Sequence, residues 1–297
     1  MLTQTKFERR YTLGCEVQAG ADNKPQSVTI ELPYTVEFEI TRQSLSSSNT
    51  GKFRLFNLAE NTRNLIFKDK YAWTEYRNVQ FRAGYEQFQP LLFNGSVREA
   101  SSERNGVNMI TTIDAYDGGF SITNGFSSLT LAAGQAAKDV INTLSADLPK
   151  LVSTPIIGDF PRTSARGEAL LGNTWNLIQE KCNGLCSIDN QQLKVLQDNE
   201  CINGPIPVIN SASGLLGSPK RSGAQLEFEM LFEPRLTIGQ IVKLESSTNR
   251  LFNGFYKVMG FSHKGIISGA VSGECRTSVS LWLGTQELRV IKGNSVQ

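Results

Sequence analysis

The sequence predicts a mainly β protein in which two β-rich units flank a small α+β module. Three observations carry that prediction. Apolar and polar residues alternate through most of the first third, apolar residues recur at helical spacing between Ala133 and Cys182, and alternation resumes from Gly204. A chain of 297 residues suffices for two or three compact units with cores that need no disulfide or metal staple.

Each element has a local reason. Across Tyr34–Ile40, Val36, Phe38 and Ile40 share one face while Glu37 and Glu39 share the other, the period of a half-buried strand. Ser44–Gly51 is a polar loop tip, and Gly51–Asn57 returns as a strand with Phe53 and Leu55 alternating. Asn78–Gly84, Leu91–Val97 and Asn108–Asp114 repeat this texture. One short helix interrupts them, opened by Asn57 or Glu60, with Leu58, Thr62, Leu65 and Ile66 at helical spacing. A sheet that rolls up with this helix packed on it closes the unit.

In the middle, Ala133, Ala137, Val140, Ile141, Leu144 and Leu148 follow the helical period, with Thr130 as candidate N-cap and Pro149 as the stop. Leu171, Trp175, Ile178 and Cys182 form the stripe of a second helix ended by Asn183-Gly184. Ser153–Gly167 reads as a surface connection. Leu185–Ile188 and Leu193–Leu196 predict a hairpin around an Asp189-Asn190 turn. Further on, Leu226, Phe228, Met230 and Phe232 alternate with polar neighbours, and Pro234 and Gly239 bracket a turn before Ile241–Glu245. Phe255–His263 and Cys275–Leu283 complete the second β unit. No exact short-period repeat is present, so any likeness between the two units has to lie in shape.

Composition narrows the function. Thirty Lys and Arg against 28 Asp and Glu give a formal charge of +2, with no basic block. The adjacent basic pairs Arg9-Arg10 and Lys220-Arg221 lack interleaved aromatics, so a dedicated nucleic-acid binder is not expected. No apolar run reaches the ~18 residues of a membrane span, and Met1–Arg10 lacks the apolar core of a secretory signal. The expectation is a soluble protein made in a cytoplasm, with no stable membrane insertion. Cys15, Cys182, Cys186, Cys201 and Cys275 read as reduced, buried small hydrophobes, with a Cys182–Cys186 disulfide formed after release left open.

Catalytic signatures are missing. There is no nucleophile elbow, phosphate-binding loop, zinc-protease helix or dinucleotide fingerprint. The single histidine, His263, shares a strand face with Phe261 and reads as packed. Asp114 to Asp117-Gly118-Gly119 reads as a strand ending in an Asp-Gly turn rather than a cation loop. The acid pairs Glu37/Glu39 and Glu227/Glu229 lie on polar strand faces, solvated or lining a polar channel. No catalytic residue, cofactor or metal is expected.

Several stretches together resemble the baseplate hub proteins of contractile-tailed bacteriophages. They are Ser213-Gly-Leu-Leu-Gly-Ser-Pro219, then Leu226–Pro234 running into Gly239-Gln-Ile-Val-Lys-Leu244, then Gly254–Val258 followed by Phe261-Ser-His-Lys-Gly265. The N-terminal part adds Gly51–Leu58 with Thr62-Arg63, Ala83-Gly84-Tyr85 and Leu92-Phe-Asn-Gly95. Where that family often carries an acid and Gly-x-Trp after the histidine turn, this chain reads Gly265-Ile-Ile-Ser-Gly-Ala270. The resemblance implies two tube-like β-barrel domains, residues 1–120 and 204–297, around an α+β module at 121–203. It further implies a structural virion protein of the tail baseplate, synthesised in the host cytoplasm: a homotrimer that adapts the hexameric tail tube to the trimeric spike, nucleates the tube and surrounds the DNA exit path. Implied partners are the tail tube protein, the spike protein, wedge proteins and a tape measure protein, with DNA only passing through. Candidate subunit contacts, chosen for expected exposure, are Ser46, Ser47, Ser48 and Asn49, then Glu86, Gln87 and Phe88, then Asp189 and Asn190. A tail-tube-like or distal adaptor ring, a tail-associated lytic enzyme, and a type VI secretion spike carrier are the alternatives.

Overall fold

The structure is a computed structural model that describes residues 8–17, 26–44, 48–160, 166–270, 273–284 and 287–291. Alternation gives each strand of the first unit one apolar side, and the ladder collects those sides. The strands are β1 (Arg9–Val17), β2 (Gln26–Glu31), β3 (Val36–Gln43), β4 (Thr50–Phe56), β5 (Asn78–Tyr85), β6 (Leu91–Asn105) and β7 (Asn108–Tyr116). They are antiparallel in the order β3-β4-β7-β6-β5-β1-β2. β6 runs well beyond its apolar stretch because β7 pairs with its polar second half, after a bulge between Val97 and Glu99. Helix α1 (Glu60–Ile66) buries Ile66 but leaves Leu65 exposed, so only half of the expected stripe faces the sheet. Inside, Phe81 packs against Tyr11, Phe38 and Phe53 at ring-centroid distances of 6.0, 5.1 and 4.9 Å.

The module contains α2 (Gly119–Asn124), β8 (Phe126–Leu131), α3 (Ala137–Ser145), β9 (Ile156–Ile157), β10 (Glu168–Asn173), α4 (Thr174–Lys181), β11 (Cys186–Asp189), β12 (Gln192–Val195) and β13 (Glu200–Cys201). Three expectations fail here. Thr130 is not an N-cap; it lies in β8 opposite Ala169, and α3 begins after Ala136. Leu171 is not on the α4 stripe but in β10, 70 % exposed, because the Asn173 side chain accepts the Asn176 N–H at 3.1 Å and starts the helix there. Trp175, Ile178 and Cys182 do face the core, and Asn183 and Gly184 end the helix with φ of 54° and 76°. The β11–β12 turn sits on Asn190 and Gln191, both at positive φ, one residue later than expected.

The second unit has β14 (Val208–Ile209), β15 (Leu215–Ser222), β16 (Gln225–Leu231), β17 (Ile241–Leu244), β18 (Gly254–Ile267) and β19 (Cys275–Trp282). A last strand, β20 (Arg289–Val290), returns to pair with β13. The order β15-β16-β19-β18-β17 repeats the order β3-β4-β7-β6-β5 of the first unit. β18 even bulges, between Val258 and Gly260, where β6 bulges in the first unit. Its second half pairs with β3, so among the described residues both units share one 13-stranded sheet. Among the described residues three hydrophobic clusters form, one in each β unit and one within the module, and Phe232, Ile267 and Cys275 of the second unit belong to the core of the first. No helix among the described residues is long and apolar enough to cross a membrane.

Candidate functional site

One face of the shared sheet is apolar and buried; the other is polar. Across β16, β19, β18, β3, β4 and β7 that polar face carries Glu227 and Glu229, Arg276, Lys264, Glu37 and Glu39, Lys52 and Arg54, and Asp114. Cross-strand register sets Arg54 against Glu37 at 2.6 Å, Lys264 against Glu39 at 3.7 Å and Lys52 against Asp114 at 3.9 Å, while Arg276, whose register partners are Leu231 and Lys264, reaches diagonally to Glu229 at 3.2 Å. Between the charged rows run hydroxyls, with Thr41 Oγ1 3.3 Å from Ser262 Oγ. Exposed pairs of this kind add little stability. Their consequence is electrostatic: a wide face rich in charge yet close to neutral. The acid pairs were visible in the sequence. Most of the basic partners were not, because Lys264, Arg276 and Lys52 meet their acids across strands distant in the chain; Arg54 and Glu37 alone of these four pairs come from consecutive strands.

The candidate contact residues divide. Glu86, Gln87 and Phe88 form an exposed tip between β5 and β6, where Glu86 meets Arg10 at 3.1 Å. Ser46 and Ser47 lie outside the described residues. Ser48 is half-buried and donates to the Asp117 carbonyl at 3.2 Å. The expected exposure of Asn49 and Asp189 is wrong: both are buried, and Asn190 is half-buried.

The physical reason is that the β11–β12 hairpin plugs into the first unit. Asn49 Nδ2 donates to the Ile188 carbonyl at 2.8 Å, and the Gln191 N–H reaches Asp117 Oδ1 at 2.8 Å. Arg42 Nη1 donates to Asp189 Oδ1 at 2.7 Å, while Lys194 holds Oδ2 at 2.6 Å. Gly118, at φ 67°, leaves Ile188 the space a Cβ would take. Burial raises Asp117 to about 8, helped by the neighbouring Asp189 charge and opposed by Arg42 and the hairpin N–H groups. Burial also penalises Asp189, but Arg42 and Lys194 outweigh it and hold that carboxyl below its usual range. Asp117 is thus an internal acceptor for the docked hairpin, a role beyond the strand-ending Asp-Gly turn expected. No local signal marks that role.

His263 is fully buried against Phe232 and Phe261, with Nδ1 2.9 Å from Thr277 Oγ1. Burial, with Arg42 nearby, lowers its pKa to about 3 from an ordinary 6.5. Below pH 6.5 the unfolded chain takes up a proton that the folded chain refuses, so stability present above that pH is lost as pH falls toward about 3. The difference in unfolding free energy between the wild type and His263→Gln should shrink by about 1.4 kcal/mol per pH unit over that window. Urea titrations at pH 7 and pH 5 measure it, and parallel losses in both proteins would refute the assignment. Among the described residues, no cluster of His, Cys, Asp or Glu is placed to hold a metal.

The sheet arrangement is that of phage and prophage tail proteins. The tail protein from Neisseria meningitidis MC58 is 9 % identical with a TM-score of 0.57, over 92 % of this chain and 96 % of that one. The 43 kDa tail protein of prophage MuSo2 from Shewanella oneidensis is 8 % identical with a TM-score of 0.59, over the same shares. A chain of the half-lidded PdpA–VgrG complex of Francisella is 7 % identical with a TM-score of 0.55, over 97 % of this chain and 60 % of that one. Identities this low show a shared fold alone. No curated protein sequence matches the chain. The family model described as Baseplate hub gp41 matches residues 15–264, and the chain belongs to that family of bacteriophage tail baseplate proteins.

Proposed function

We propose that the chain works as a trimeric, non-enzymatic baseplate hub, with the polar face of its shared sheet turned toward the lumen through which DNA leaves. The observation that carries this reading is the repeated strand order joined by β3–β18 pairing. Two tube-like units per chain, divided near residues 120 and 204, let three chains present six positions to a hexameric tube while keeping threefold symmetry for a spike. A face whose carboxylates and cations pair off offers no net positive charge to grip phosphates, which suits a conduit. The proposed partners are the tail tube, spike, wedge and tape measure proteins. Fully buried and with its basicity lowered by that burial, His263 cannot serve a lytic reading as general base.

The test is electron microscopy of lysates from a phage carrying a null allele. Filled heads without tails are expected, because the hub nucleates the tube. Normal full-length tails would overturn the proposal.

A further inference from the structure

The internal repeat has a consequence at the edges of the sheet. Within the chain, the second half of β18 pairs with β3, setting Lys264 opposite Glu39 and Ser262 opposite Thr41. Aligning the two units on their shared bulge and ladder registers lays β6 on β18 and β15 on β3. Glu99 falls on Gly260, Asp114 on Ser280, Lys52 on Glu227 and Glu39 on Lys220. Glu103 then occupies the place of Lys264, and Lys220 that of Glu39. Both lie on exposed strand segments. Unlike their counterparts, these two strands lack the corresponding neighbour among the described residues. β15 ends the sheet, and beyond the Lys68–Ala100 bridge no strand among the described residues pairs with Ser101–Asn105 on the side away from β7.

We propose that these two edges pair between copies of the chain: β6 of one copy runs antiparallel to β15 of the next, with Glu103 opposite Lys220 and Ser101 opposite Ser222. The inference rests on the ring reading above and names its seam. Three features support it. Exposed strand edges need a cover, and two different edges on one chain make the heterologous contact that closes a ring. The Ser101–Ser222 pair reproduces the Thr41–Ser262 hydroxyl pair of the internal seam. The charges reproduce its ion pair with the signs exchanged, Glu103–Lys220 for Lys264–Glu39. That exchange also specifies the partner. β6 laid against β3 would bring Glu103 onto Glu39, and β18 laid against β15 would bring Lys264 onto Lys220, so neither edge accepts the other's neighbour.

The experiment uses purified phage carrying Glu103→Cys and Lys220→Cys together, oxidised with copper–phenanthroline. The chain's own cysteines are all buried and do not compete. The hub should migrate as a covalent trimer on a non-reducing gel, and each single variant as a monomer. A doubly substituted hub that is present in virions but stays monomeric overturns the seam while leaving the hub reading intact. Infectious virions that contain no hub overturn both. Separately, Glu103→Lys or Lys220→Glu should each lower the titre about tenfold, and the exchanged pair should restore it. Failure of the exchange to restore the titre also refutes the register.

Discussion

Arg42→Ala should destabilise the protein by about 3–5 kcal/mol, the usual consequence of removing one partner from a buried ion pair. Arg42 is 3 % exposed and joins two units. Its guanidinium donates to Asp189 and Asn190 of the module hairpin and to the Leu92 carbonyl of β6. Alanine leaves those acceptors unfilled and removes the cation that, with Lys194, holds the buried Asp189 carboxyl below its usual range. Lys194 remains on Asp189 but cannot reach across to β6 from β12 with Arg42's forked geometry. Urea unfolding of the purified chain measures the loss, and Arg42→Lys should recover less than half of it. A loss below about 1 kcal/mol would mean that water fills the junction and the ion pair is not structural.

Phe81→Ala should cost a similar amount, about 3–5 kcal/mol, for a different reason. Phe81 is fully buried at the centre of the aromatic cluster formed by Tyr11, Phe38 and Phe53, each contributed by a different strand. Because the neighbours are held by three other strands, they cannot collapse into the space an alanine leaves. Phe81→Leu keeps most of the volume and should cost about 1 kcal/mol. Equal losses for alanine and leucine would show that ring geometry, rather than filled space, sets the stability of this core.

How much could be read from the chain follows from the range of the forces involved. Alternation at Val36, Phe38 and Ile40, or at Leu226, Phe228 and Met230, is imposed by the pleat and survives as a period of two in the letters. The strands and their buried sides were therefore legible. Thr130 misled because a threonine before an apolar helical pattern resembles a cap, whereas its pairing with β10 is a tertiary event. Leu171 misled because its four-residue spacing from Trp175 mimics one helix face across a strand–helix boundary. Asp189 and Asn190 read as an exposed turn because polar turns usually are. Their burial depends on Arg42 and Asp117, both more than seventy positions away. The strand-order repeat left no letter pattern, since a sheet constrains which faces are apolar far more tightly than which residues fill them.

The β3–β18 seam is made within one chain, and this sets how such an assembly responds to dilution. A tethered contact sees its partner at an effective concentration of about millimolar, whatever the number of molecules in the cell. It closes during folding and stays closed. Any contact between chains instead follows mass action and opens first when subunits are scarce. On the ring reading proposed above, the integrity of such an assembly at high dilution would therefore fall on the joints that no peptide backbone spans.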